Sequence, residues 1–206
     1  MYALVTDNKI TKLITNPKSM VIGDVRYPAK IFQLWSQSEL NAIGIYEVVF
    51  NDSNKKDEQW YFNTNQSFAF ADETVTASYG TATAKAHADT LFTAQDETDG
   101  KGIEGEIKSR GLKYNFIQSI KIIANNLLSK TDWYITRKTE KNTAIPDNIT
   151  TWRNGIRTKQ AAMETLITNA SNTAAIETLY TYVNTADEGD PRVIERPLGE
   201  FPELGS

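Results

Sequence analysis

One histidine, no cysteine and 26 carboxylates are the material from which this 206-residue chain must build any catalytic or metal site. The histidine, His87, sits in an alanine-rich stretch with no serine or aspartate motif around it, so it reads as a packing or surface residue rather than a general base. Without cysteine there is no thiolate nucleophile, disulfide or Cys-based zinc site. The stretch DETDGKGIEGE (96–106) sets acids beside glycines as a calcium loop does, yet it lacks ligands at alternate positions and a glutamate at the twelfth. No HExxH, G-x-S-x-G or glycine-rich phosphate loop is present. No residues are assigned as catalytic, cofactor-binding or metal-binding, and no cofactor is expected.

Two kinds of binding chemistry need weighing. Trp35, Trp60, Tyr61 and Phe62 could offer faces for sugar rings to stack on, but filling a small core is the reading we favour. Arg110, Lys113, Lys121, Lys130, Arg137, Lys138 and Lys141 could touch phosphate. A solvated helical face, or a dock for an acidic segment, suits them better. The formal net charge of −4 opposes general nucleic-acid binding. No apolar run approaches the roughly 20 residues of a membrane span. The opening MYALVTDNKITK lacks a basic-then-apolar leader, which predicts a chain made and used without Sec export.

The elements that must position these residues fall into an α+β plan. Residues 1–84 hold short runs rich in β-branched and aromatic residues (YALVT, KITKLI, YPAKIF, YEVVF, QWYF, SFAF, TVTASY), divided by turn formers such as Asp7-Asn8. SQSELNAIG (36–44) interrupts them with a helical turn, capped by Ser36 or Ser38 and ended by Gly44. Residues 85–184 read as a small helical bundle or hairpin. ATAKAHADTLFTAQDE suits a first helix. From about 106 to 130, Phe116, Ile120, Ile123 and Leu127 make an apolar stripe, with Gly111 as a kink or later start. Pro146-Asp147 opens a second long helix at about 148–170, with Trp152, Ile156, Met163, Leu166 and Ile167 inward. Ser171-Asn172-Thr173 caps a third, with Ile176, Leu179 and Val183 inward.

Residues 185–206 read as an extended, acidic, proline-rich arm. The stretch 184–206 carries the whole formal net charge, six acids against Arg192 and Arg196. Pro191, Pro197 and Pro202 forbid a regular helix there. Val193, Ile194, Leu198, Phe201 and Leu204 are its apolar handles for packing on the body or on a partner.

The join between the first two long helices, LLSKTDWYITRK (127–138), is the most distinctive segment. Thr131 or Asp132 is expected to satisfy the freed backbone at the helix end. Trp133 is expected to fold beneath the corner as a buried staple, with Tyr134 and Ile135 running back and 137–144 a charged loop. Arg153 and Arg157 share a helix face and can reach an acid in the loop, the arm or a partner.

These residues carry a resemblance. An apolar helix ending in Leu127-Leu128, then Thr131-Asp132-Trp133, a loop with Pro146, and a helix with Arg153 and Arg157 resembles the C-terminal region of tail-fibre assembly and tail-associated proteins of tailed bacteriophages. QLWSQSELNAIGIYEV (33–48) is similar to a further segment of such proteins, and the arrangement looks most like proteins of marine phages. The resemblance covers roughly 33–48 and 106–180. It implies a non-enzymatic protein acting through contacts with other tail or fibre proteins. The expected location is the virion tail, with passage through the host cytoplasm during assembly. It also implies a homo-oligomer, and neither nucleic-acid binding nor membrane insertion. A structural component of the particle is the leading expectation. A transient fibre-assembly chaperone and a carbohydrate-binding host-recognition module are the alternatives.

Overall fold

Tight two-residue turns build the N-terminal half. Asp7 and Asn8 both take positive φ (50° and 58°), as do Asp72 and Glu73 (48° and 55°). Paired positive φ matches the twist of the strands such turns connect. The first turn joins β1 (Tyr2–Thr6) to β2 (Lys9–Ile14); the second joins β7 (Ser67–Ala71) to β8 (Thr74–Ser78). The computed structural model describes residues 1–205 and divides into two units, Met1–Thr83 and Ala84–Ser206. The fold is α+β, with a β-rich N-terminal part and helices after it.

In the first unit a five-stranded sheet runs β2-β1-β5-β8-β7, where β5 is Ile45–Asn51. All its pairs are antiparallel except β5 with β8, in register Val48↔Val75. Alternation along β1 splits two cores. Ala3 and Val5 face Val48, Val75 and Ala77. Tyr2 and Leu4 face the opposite layer, centred on Ile31, Leu40 and Ile45. That layer is supplied by the hairpin of β3 (Met20–Ile22) and β4 (Val25–Tyr27) and by two short helices, α1 (Ile31–Leu34) and α2 (Gln37–Ala42). Ser36 and Glu39 cap α2 reciprocally. Gly44 follows at φ +82°, where a Cβ would lie 2.6 Å from the Val5 carbonyl. This close approach lets Val5 N donate to Gly44 O at 2.8 Å and is the reason for glycine there. A short strand, β6 (Tyr61–Phe62), lies between β5 and β7.

The second unit starts with a departure from expectation. The alanine-rich stretch is not a helix. It holds the short strands β9 (Thr83–Ala84) and β10 (Thr90–Leu91), and only α3 (Ala94–Thr98) is helical. Its backbone is claimed from elsewhere. Ala86 O and His87 O accept from Leu112 N and Lys113 N, and Lys85 O accepts from the Thr173 hydroxyl. The Ala86 and His87 carbonyls thereby satisfy the first free N–H groups of α4 (Leu112–Ser129). Gly111 is the N-cap, so the helix starts late, and a Cβ there would lie 2.3 Å from the Ala88 carbonyl. β11 (Ile107–Ser109) pairs with β10.

Helix α4 packs on α6 (Asp147–Asn169), and α7 (Thr173–Tyr180) follows, its N-terminus capped by the Asn172 side chain. Between α4 and α6 stands α5 (Asp132–Lys141). It overturns the expected loop at 137–144 as far as Lys141. The core comprises Ile120, Met163, Ile167 and Leu198, then Ala124, Trp152 and Ile156, with Phe201 against both clusters. Ile123 and Leu166, expected inward, are exposed, because they lie outside the strip that each helix turns toward the packed core. Val183 is also outside: α7 ends at Tyr180, and Val183 enters β12 (Val183–Asn184), which pairs with β13 (Ile194–Glu195). No helix among the described residues is long and apolar enough to cross a membrane.

The C-terminal arm returns to its own helices. Leu198 N donates to Leu179 O at 3.0 Å and its side chain is fully buried; Trp152 Nε1 donates to Pro202 O at 2.8 Å. Leu198→Ala is expected to cost about 2–5 kcal/mol in urea unfolding of this unit. Leu204→Ala, at an exposed position, is expected to stay within about 0.5 kcal/mol. Equal effects would refute the arm as part of the core.

Candidate functional site

The acids that suggested chemistry in the sequence are held by near neighbours. Thr93 and Asp96 cap α3 reciprocally, and Lys108 Nζ lies 2.7 Å from Asp96 Oδ1. The Lys108 bond first, then the Thr93 N–H, holds the Asp96 carboxyl down to about 2. Asp99 is lowered by Lys101 and Gln95. Asp89 is lowered by the Gly111 N–H and by Arg110. The acid-glycine segment is therefore a capped, cross-linked loop, and no cluster of three metal-ligating side chains occurs among the described residues. His87 lies in a turn, where its carbonyl caps α4. Of the aromatics considered for sugar stacking, Trp60 and Tyr61 are buried, Trp35 packs edge-on to Tyr27 in the core layer, and Phe62 is exposed.

The corner between α4 and α5 assembles most of the residues singled out by type and order. Helix α4 ends with Lys130 N on Leu127 O and Thr131 N on Leu128 O. Arg153, on α6, reaches it from below and is 6% exposed. Its Nη1 donates to Leu128 O at 2.8 Å and to Thr131 Oγ1 at 2.7 Å, and its Nη2 donates to Asp132 Oδ1 at 2.8 Å. The Thr131 hydroxyl in turn donates to Leu128 O at 3.0 Å. One guanidinium thus adds a charged donor to the Leu128 carbonyl at the negative end of α4, which also accepts from Thr131, and pairs with the first-turn acid of α5. Its planar fork of donors matches this arrangement, where a lysine would bring a single point of charge.

Trp133 is not the staple. It is 51% exposed. Its ring lies 3.7 Å, centroid to centroid, from Tyr134, and the Arg137 guanidinium sits 4.8 Å and 5.2 Å from the two rings. Arg153 fills the place beneath the corner, so the indole turns outward. No side chain of helix α5 is fully buried; Tyr134 and Arg137 are half-buried. The helix is set by local signals: Asp132 in the first turn, Lys138 and Lys141 in the last, and Asn142 left-handed at its end.

The remaining candidates separate. Arg157, one turn beyond Arg153, does not join the network. It is exposed and borders an open surface hollow with Gln160 and Glu164. Leu198 and Phe201 belong to the core, whereas Val193 and Ile194 stand on the β12–β13 hairpin, 45% and 50% exposed. Sequence reasoning recognised that Arg153 could meet a loop acid, but it had no signal that the arginine also takes the α4 carbonyl and displaces Trp133. Both depend on how α4 and α6 pack.

Comparison with known protein families, curated proteins and solved structures returned no match.

Arg153→Lys is expected to cost about 1–3 kcal/mol in urea unfolding, since one ammonium cannot take the place of a planar fork that donates to Leu128 O, Thr131 Oγ1 and Asp132 Oδ1 together. Trp133→Ala is expected to change stability by no more than about 0.5 kcal/mol; a larger loss would restore the staple. Asp96 has a depressed carboxyl, so its contribution to stability is complete above the ordinary value of 3.8 and is lost as pH falls through about 2. The melting difference between the protein and Asp96→Asn is therefore expected to shrink across that window, and a constant difference would contradict the Lys108 pairing.

Proposed function

We propose that this chain is a non-enzymatic tail or tail-fibre associated protein of a tailed bacteriophage, a structural component of the particle acting through protein–protein contacts. One observation carries the reading. A buried arginine holds the start of α5, and Trp133 there faces outward on a helix with no fully buried side chain. Large aromatics and arginine on a rigid support are the composition of interface anchors. Leu128, Thr131, Asp132 and Arg153, which carry part of the phage resemblance, meet in a single hydrogen-bonded joint. The motif thus has a physical purpose: it builds a corner that displays Trp133. Its place of action is the virion tail, reached through the host cytoplasm during assembly.

Mass spectrometry of purified mature particles from the phage that encodes the chain tests this. Stoichiometric presence is the expected result. Absence from particles, with abundance in infected cells, would replace the structural role with that of an assembly chaperone. Trp133→Ala is expected to lower incorporation into particles while the melting temperature holds. Unchanged incorporation would remove α5 as the contact.

A further inference from the structure

Two exposed surfaces of the helical unit complement each other and lie at opposite ends of it. The first is α5 with its approach: Trp133 and Ile135 are apolar and exposed, and Lys130, Lys138 and Lys141 surround them beside Arg137. Asp132 is paired with Arg153, and Glu140 is the other acid of this helix. The second is the β12–β13 hairpin. Asp187, Glu188 and Asp190 crowd its turn with Arg192 as the opposing charge, and Val183, Val193 and Ile194 are exposed along its strands. The hairpin is ordered by its own bonds. Thr185 N donates to Val193 O at 2.8 Å, Val193 N donates to Asn184 Oδ1 at 2.9 Å, and the chain after β13 is pinned by the Arg196–Glu200 pair.

A single copy does not bring the two together. Tyr180, which leads into the hairpin, packs on Phe116 near the start of α4, with ring centroids 4.7 Å apart. Helix α5 departs from the other end, past Leu128. At about 1.5 Å per residue, Phe116 and Leu128 are roughly 18 Å apart along the axis. That exceeds the Debye length of about 8 Å at physiological ionic strength.

We infer that copies of this chain associate head to tail, the acidic β12–β13 hairpin of one lying on the basic, aromatic face of α5 in the next. The occupant is a second copy because the same molecule supplies both the acid-and-aliphatic surface and the base-and-aromatic one. Val193 and Ile194 cover Trp133 and Ile135, and the acidic turn meets Lys138 and Lys141. The contact is heterologous, so the assembly either closes into a ring or extends as an open chain. This rests on α5 being a contact surface and not on the assignment to a phage particle.

Sedimentation velocity of the full chain at low and high salt tests it, with charge reversals on both surfaces. The wild-type protein is expected to associate at low salt and to dissociate progressively as salt rises. Lys138→Glu with Lys141→Glu, and separately Asp187→Lys with Glu188→Lys, are each expected to weaken association by at least about tenfold. All four positions are exposed, and circular dichroism confirms that each variant is folded. Mixing the two variants restores opposite charge at both kinds of junction and is expected to restore association. A wild-type protein that stays monomeric at low salt, association indifferent to both reversals, or a mixture as dissociated as its parts would each overturn the inference. Absence of the chain from mature particles would count against the particle role and leave this result standing.

Discussion

The Arg153 guanidinium is the interaction on which the helical unit's outer form depends. Burying a cation is costly unless its hydrogen-bonding capacity is matched. Here a backbone carbonyl, a hydroxyl and a carboxylate meet it at 2.7–2.8 Å. The match fixes where α4 stops and the direction in which α5 leaves. The preceding residue, Trp152, points elsewhere around α6 and holds the returning arm through Pro202 O. Successive residues on a helix are turned by about 100°, so two adjacent side chains anchor two separate segments. The corner and the arm are both referenced to one turn of α6.

Much of the fold was legible where the deciding interaction is local. The cap at Ser36, the Asp7-Asn8 turn, Pro146 before α6 and Asn172 before α7 all act within a few residues of themselves. The strands of the five-stranded sheet were legible for the same reason, since alternation is written along each strand. YPAKIF, expected as a strand, instead runs into helix α1 from Ile31, and the β3–β4 hairpin was not read. The alanine-rich stretch misled because propensity is only a weak prior. Its carbonyls are used by Leu112, Lys113 and Thr173, far along the chain, and the helix it could have formed gives way to those bonds.

The corner shows the same limit at the level of one side chain. Trp133 reads as buried because a large aromatic beside a helix end usually gains by packing. Its fate is decided by what already occupies the space beneath the corner, and that space is taken by Arg153. The charged run at 137–141 reads as loop because it offers nothing to a core. It is helical without one, because its charges suit both ends of the helix dipole and Asn142 closes its last turn.

A ten-residue helix is marginal on its own in water. Helix α5 is fastened at its first turn by the ion pair of Asp132 with Arg153, and beyond that by end effects and the stack of Trp133, Tyr134 and Arg137. None of these excludes water over its length. A surface that covered Trp133 and Ile135 would remove apolar area from water and stabilise the helix in the same step, so binding and ordering of α5 are coupled. The anchor makes that coupling specific. It sets the direction of the helix axis before a partner arrives, so less orientational freedom remains to be lost when one does.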